Sequence, residues 1–130
     1  MTRGERAAQI WPLLSLCASQ RQILSYDQLS KLIGVFRPGL GQLLEPIQSY
    51  CLLHRLPALT SLVVSEVNGM PGEGFIAASD VPLAQARVFA HGWAATEVPT
   101  PQALEEAATK LPSNGRSLSE LRKQVGAGEQ

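Results

Sequence analysis

The feature that most constrains this chain is a short helical segment whose two ends are both marked. Ser25 and Gln28 have the spacing of a capping box, in which two side chains satisfy backbone N–H groups at a helix start. Gly34 is the expected C-terminal cap, because glycine readily adopts the left-handed conformation that ends a helix. The apolar residues between these ends recur at helical spacing: Leu29, Leu32 and Ile33. Residues 35–39 then indicate a turn.

Longer helices are predicted on both sides of this segment. A capping box at Thr2 is followed by apolar residues at three- and four-residue intervals, which predicts a helix over residues 3–19. Pro12 lies inside it and is expected to kink or divide it. After the turn, helical spacing continues over residues 40–55, where Pro46 either kinks the helix or starts a separate one.

A change of period after this helix predicts a hairpin. Residues 59–65 are rich in β-branched and apolar residues, which favours a strand. The Gly- and Pro-containing run 68–74 indicates a turn. Phe75 and Ile76 are then expected to begin a return strand, so that the two strands form a wing.

The rest of the chain predicts one more core helix and a polar appendage. Asp80 is a good N-cap for a helix over about residues 82–91. We expect residues 1–95 to form the compact domain and 96–130 to form a polar helical appendage, and the sequence leaves open whether residues 94–130 pack on the core or are partly flexible. The appendage contains two predicted helices, one from Thr100 to about Leu111 and one capped by Ser117 and Glu120. Three aromatic residues are expected in the core: Trp11, Phe89 and Trp93.

Composition excludes several classes of protein. The net charge is zero and no apolar run approaches the roughly 20 residues that a bilayer span needs, so a membrane protein is not expected. The two cysteines, Cys17 and Cys51, have neither disulfide-framework nor metal-site spacing and are expected to be buried thiols. The first residues lack the pattern of a secretory signal peptide, so a cytoplasmic location is expected.

The predicted order of helix, short strand, helix, turn, helix and hairpin is that of a winged helix-turn-helix. The expected fold class is therefore α+β, with three helices, a two-stranded wing and additional C-terminal helices. The segment 24–34, LSYDQLSKLIG, resembles the T-Y-G-x-L-A-x-x-I-G segment of the DNA-binding domain of O6-alkylguanine-DNA alkyltransferases. That family's later strand and wing resemble Val63-Val64, Gly69 and Gly74-Phe75. The resemblance covers about residues 20–76 and implies a DNA-binding scaffold. The segments 56–60, LPALT, and 69–75, GMPGEGF, also resemble small, uncharacterised bacterial proteins.

The chain departs from this family at the position of its chemistry. Residues 59–62 are Leu-Thr-Ser-Leu where the family has its P-C-H-R motif, so the nucleophilic cysteine and its histidine are both missing. The family's R-A-V-G segment corresponds to residues 38–41, and Arg37 lies one position too early. We therefore expect no alkyl transfer, no other enzymatic activity, no cofactor and no metal site.

Eight residues are the candidate contacts to double-stranded DNA. The candidates for the major groove are Arg37, Gln42 and Ser49. The candidates for phosphates and for the wing are Arg21, Ser25, Lys31, Arg55 and Asn68. Residues 1–56 carry a net charge of +3, whereas residues 57–93 carry −2 with Glu66 and Glu73 in the wing. DNA binding is therefore expected to be weak and sensitive to salt, with the protein a regulator or an accessory subunit of a DNA-processing complex.

The alternative is a protein-interaction module on the same scaffold, such as an adaptor, a toxin-neutralising partner or a defence-system component. Its partner would be another protein or a second copy of the chain. The loop around Met70 is expected to act either as a structural clasp or as a contact surface. A positive patch would favour DNA, whereas exposed apolar residues on the wing or the tail would favour a protein partner.

Overall fold

The structure, a computed structural model, describes residues 1–72 and 74–113. Five helices and two short strands follow one another along these residues: α1 Arg3–Ser19, β1 Leu24–Ser25, α2 Tyr26–Ile33, α3 Leu40–Leu53, β2 Val63–Val64, α4 Val81–Ala90 and α5 Pro101–Lys110. Turns of 3-10 helix lie at Arg37–Gly39, Leu59–Leu62 and Trp93–Ala95. The fold class is therefore α+β, and the helix predicted at Ser117 lies outside the described residues.

The predicted helix ends are confirmed in atomic detail. Thr2 Oγ1 accepts from the backbone N–H of Glu5 at 3.1 Å, and the Glu5 carboxylate accepts from that of Thr2 at 3.2 Å. Ser25 and Gln28 make the same reciprocal pair at 3.0 Å each way. Gly34 ends α2 in the left-handed conformation, with φ at 69°. Each cap contributes about 1 kcal/mol, because it satisfies backbone groups that have no partner within the helix.

The two internal prolines do not divide their helices. Pro12 lies within α1 and Pro46 within α3, and each helix runs without a break. A proline removes one backbone hydrogen bond from a helix and costs about 3 kcal/mol. Fully buried neighbours such as Trp11 and Ile47 outweigh that cost, because the helices are held by their packed faces.

The strand pairing differs from the predicted hairpin. β1 and β2 pair in parallel, with Leu24 opposite Val63, and residues 59–62 form a 3-10 turn instead of the start of a strand. The return strand predicted at residues 75–76 is not formed. The side-chain amide of Gln48 instead hydrogen-bonds the backbone of this segment. It accepts from Ile76 N–H at 3.0 Å and donates to the carbonyl of Gly74 at 3.0 Å, so these groups are not available for pairing with a strand.

The core lies between α1, α3 and α5. Trp11 packs edge-on against Trp93 at a centroid distance of 5.8 Å, and Phe89 packs against the same cluster, as predicted. Leu104 and Leu111 are fully buried, so α5 belongs to the compact domain and the appendage predicted from residue 96 is wrong for these residues. Among the helices of residues 1–72 and 74–113, none has the length and apolar character needed to cross a bilayer.

Candidate functional site

An open groove of about 510 Å³ lies between the start of α3 and the loop that follows β2. Parallel pairing of the strands explains its position, because β1 leads into α2 at the same end at which β2 leads into the loop. The side chains of Tyr26, Arg37 and Asn68 line the groove together with Gly41 and Gly72. The groove is therefore formed by the turn between α2 and α3 on one side and by the loop on the other.

The loop over residues 65–72 is fastened to α2 by the Tyr26 hydroxyl. Gly72 N–H donates to Tyr26 Oη at 2.7 Å, and a Cβ at position 72 would lie 2.8 Å from that oxygen. A larger residue at position 72 would therefore require the Tyr26 ring to move. Within the loop, Ser65 N–H donates to the carbonyl of Met70 and Gly69 N–H donates to the carbonyl of Ser65, both at 2.8 Å. The loop is thus a clasp, one of its two expected roles.

Arg37 is held by two carboxylates at the edge of this groove. Its guanidinium lies 2.8 Å from Asp27 Oδ1 and 2.9 Å from Glu66 Oε2, and it lies 5.9 Å from the ring centroid of Tyr26. Glu66 also accepts from the backbone N–H of Asp27 at 2.8 Å. That N–H is the main cause that lowers the pKa of the Glu66 carboxyl, and the Arg37 charge acts in the same direction. We call Asp27, Arg37 and Glu66 the ionic cluster; it joins α2, the turn and the loop.

A smaller cavity of about 40 Å³ lies beside the groove and shares Tyr26 with it. Thr60, which stands where the resemblance places the family's cysteine, lines this cavity, and its buried hydroxyl has no hydrogen-bond partner among the described residues. The cavity has room for about one water molecule. Glu45 also lines it and is bound by Arg3 and by the backbone N–H of Ser113, each at 3.1 Å.

Two of the eight candidate DNA contacts line the groove, and two more are exposed on the helices beside it. Arg37 and Asn68 line it, and Gln42 is exposed in the first turn of α3 next to Gly41. Lys31 is exposed one helical turn after Asp27, so it lies on the same face of α2 as that member of the ionic cluster. The positive charges of Lys31 and Arg37 therefore have equal numbers of negative charges beside them, on Asp27 and Glu66.

Ser49 is placed elsewhere, and its predicted role as a groove contact is wrong. It is fully buried, donates to the carbonyl of Leu111 at 2.7 Å and bonds to Ser113 Oγ at 2.9 Å. The helical face that carries Ser49 packs against the segment after α5, and Ser49 therefore supports the fold. Ser25 is half-buried and is used as the cap of α2.

Arg21 and Arg55 are exposed but lie away from the groove. Arg21 precedes β1, at the strand end opposite to the one that leads into α2. Arg55 follows α3, about 20 Å along the helix axis from Gln42 at 1.5 Å per residue. Both have positive φ, 56° and 54°, at the helix ends where glycine is usual. The structure therefore does not assemble one positive patch, which would have favoured DNA, from the basic residues Arg21, Lys31, Arg37 and Arg55.

Two parts of this site were not predicted from local sequence patterns. The first is the pair of carboxylates on Arg37, because Glu66 is 39 residues from Asp27 and nothing local relates them. The second is a set of exposed apolar side chains next to the ionic cluster. Phe36, which precedes Arg37, is 83% exposed, and Val67, which follows Glu66, is 92% exposed. The exposure of Phe36 could have been predicted, because it is a bulky apolar residue within a predicted turn.

No metal centre is indicated for the part of the chain that the structure describes, since no three His, Cys, Asp or Glu side chains there are grouped for one ion. No protein-family model, no curated protein and no solved structure matches this chain. The function therefore has to be inferred from the geometry and chemistry of the groove.

Proposed function

We propose that this protein binds double-stranded DNA, without catalysis, through a winged-helix-like scaffold in which α2 and α3 form the helix-turn-helix. The observation that carries the proposal is the position of Arg37 in the turn just before α3, at the edge of an open groove that Asn68 lines from the loop. Lys31 and Gln42 are exposed on the adjoining helices. This set combines a phosphate-binding charge with side chains suited to base edges.

The pairing of distant segments supports this proposal. The two segments that resemble the alkyltransferase DNA-binding domain, 24–34 and 63–75, contact each other directly. They pair through β1 and β2, and the Gly72–Tyr26 hydrogen bond fastens the second segment to the first. A scaffold built from both segments would present the first turn of α3 beside the loop, as a recognition helix and a wing are presented to DNA.

The proposed contacts are few, and the affinity is expected to be low. Lys31 and Arg37 would each neutralise about one phosphate, so the logarithm of the binding constant should fall with the logarithm of salt concentration with a slope of about −2. Gln42 would approach a base edge from the first turn of α3, and its amide suits adenine. Asn68 would reach the backbone from the loop.

The test is a fluorescence-anisotropy titration of a labelled duplex at two salt concentrations. A Lys31→Ala/Arg37→Ala variant is expected to lose binding. The matched control, Arg21→Ala/Arg87→Ala, removes the same net charge from exposed positions outside the groove and is expected to bind nearly as well as the wild type. Equal losses in the two variants, or no binding by any form at low salt, would contradict the proposal.

A protein partner is the second candidate, favoured by the exposed apolar side chains Phe36 and Val67. Large exposed apolar residues are typical of protein contacts when they lie together. Sedimentation of the wild type and of a Phe36→Ser/Val67→Ser variant tests the case in which the partner is a second copy. A dimer that dissociates in this variant but persists in Leu83→Ser, which changes an exposed residue of α4, would favour this candidate.

A further inference from the structure

We infer that Asp27 and Glu66 compete with DNA phosphate for Arg37, so that the ionic cluster is an autoinhibitory contact that sets the affinity of the groove. The inference rests on the proposed DNA-binding function and assigns a role to two carboxylates at that site. In this competition, a phosphate binds Arg37 only after it displaces the two carboxylates. A change to either carboxylate therefore changes the affinity for DNA.

The geometry of the cluster places two negative charges on one positive charge. Asp27 and Glu66 approach different nitrogens of the Arg37 guanidinium, at 2.8 and 2.9 Å. Two of the five guanidinium N–H groups are thereby directed at carboxylates. The cluster has a net charge of −1, so an approaching phosphate meets a negative site at the position where a lone arginine would attract it.

Glu66 is kept in place by contacts that do not depend on Arg37. It accepts from the backbone N–H of Asp27 at 2.8 Å, and its loop is fastened by the Gly72–Tyr26 hydrogen bond at 2.7 Å. Asp27 belongs to the first turn of α2. Both carboxylates therefore remain beside Arg37 in the free protein without relying on a mobile element.

The contact is nevertheless weak enough to be exchanged. The side chains of Arg37, Asp27 and Glu66 are 42%, 52% and 33% exposed. Ion pairs between exposed groups are weak and are screened by salt. A phosphate presented by DNA can therefore displace them, whereas an equivalent buried pair would not be released.

The test compares DNA affinity in an Asp27→Asn/Glu66→Gln variant with the wild type, by the same anisotropy titration. The amide introduced by Glu66→Gln keeps an oxygen that can accept from the Asp27 N–H, so the variant retains the loop contact. We expect the variant to bind duplex DNA about fivefold to tenfold more tightly, with a salt slope that stays near −2 because the same two basic side chains contact phosphate. The control is Glu97→Gln/Glu106→Gln, which removes two exposed carboxylates outside the groove and is expected to change affinity by less than about twofold.

A thermodynamic cycle separates displacement from the effect of total charge. In an Arg37→Ala background, Asp27→Asn/Glu66→Gln should raise the affinity for DNA no more than the control pair Glu97→Gln/Glu106→Gln does. The inference is overturned if the wild type binds DNA and Asp27→Asn/Glu66→Gln raises the affinity no more than the control does. It is also overturned if the increase in affinity persists without Arg37. Either result would leave the proposed DNA binding intact. If neither the wild type nor the double variant binds at low salt, the proposed function and the inference both fail. Binding by the double variant alone would support the inference.

Discussion

The backbone N–H of Gly4, in the first turn of α1, donates a 2.6 Å hydrogen bond to Oε1 of Glu105 in α5. The two helices touch at this point. A Cβ at position 4 would collide with the carbonyl oxygen of Pro101 and would lie 2.7 Å from Cγ of Glu105. Because the carbonyl is backbone and cannot turn aside, any larger residue would push α5 away from α1.

Two alanine substitutions test this close contact. Gly4→Ala is expected to lower the free energy of unfolding by about 1–3 kcal/mol, because it overpacks the α1–α5 contact. Gly41→Ala is the matched control: it also lies in the first turn of a helix, but a Cβ there would meet nothing within 4 Å. It is expected to raise the free energy of unfolding by up to about 1 kcal/mol, through the helix propensity of alanine. Urea unfolding measures both, and effects of the same sign would contradict the contact.

The place of α5 in the core is tested by truncating Leu104. This side chain is fully buried, so Leu104→Ala is expected to lower the free energy of unfolding by about 2–5 kcal/mol. Leu83→Ala, at a position that is 46% exposed, should change it by less than about 1 kcal/mol. Urea unfolding of both variants makes the comparison. A small effect at Leu104 would mean that α5 is an appendage after all.

Two helix ends with left-handed backbone predict opposite effects. Gly34 has φ at 69° with open space around it, so Gly34→Ala is expected to lose about 1 kcal/mol of stability to backbone strain alone. Arg21 has φ at 56°, and Arg21→Gly is expected to raise the free energy of unfolding by roughly 0.5 kcal/mol. Glycine relieves the backbone strain, but it also raises the entropy of the unfolded chain, which offsets part of that stabilisation. Thermal unfolding measures both signs, and a loss at Arg21 would show that its side chain makes a stabilising contact.

Thiol reactivity reports the burial of the cysteines. Burial raises the pKa of the Cys51 thiol to about 12 and also raises the pKa of the half-buried Cys17. At pH 8, therefore, a disulfide reagent should leave Cys51 unmodified in the folded Cys17→Ser variant and modify it after unfolding in denaturant. In Cys51→Ser, Cys17 should react more slowly than in the unfolded chain. Rapid reaction of Cys51 in the folded protein would show that this part of the core opens.

The cap of α1 predicts a dependence of stability on pH. The backbone N–H and then the hydroxyl of Thr2 lower the pKa of Glu5 below its usual value of 4.5. A carboxyl with a lowered folded-state pKa adds stability above its unfolded-state pKa and loses it as the pH falls through the folded-state pKa. The wild type should therefore exceed Glu5→Gln in stability at pH 7, and the difference should shrink below about pH 4.5. A difference that is constant from pH 7 to pH 3 would contradict this role.

Helix ends could be predicted because the interactions that form them are local. Thr2 with Glu5, and Ser25 with Gln28, are three residues apart, so their hydrogen bonds depend on little beyond the residues themselves. Gly34 acts in the same way through its own backbone. The hairpin could not be excluded by the same reasoning, because the competing partner of residues 74–76 is a side chain of α3, more than 25 residues earlier.

The sequence alone therefore determined the helices, their caps, the turn between α2 and α3 and the apolar residues available for a core. Tertiary structure decided the parallel pairing of β1 with β2, the burial of Ser49 and α5, and the ionic cluster around Arg37. These contacts join residues far apart in the chain. Each one forms only where packing of the whole domain outweighs the entropy of closing a long loop, and no local pattern records that balance.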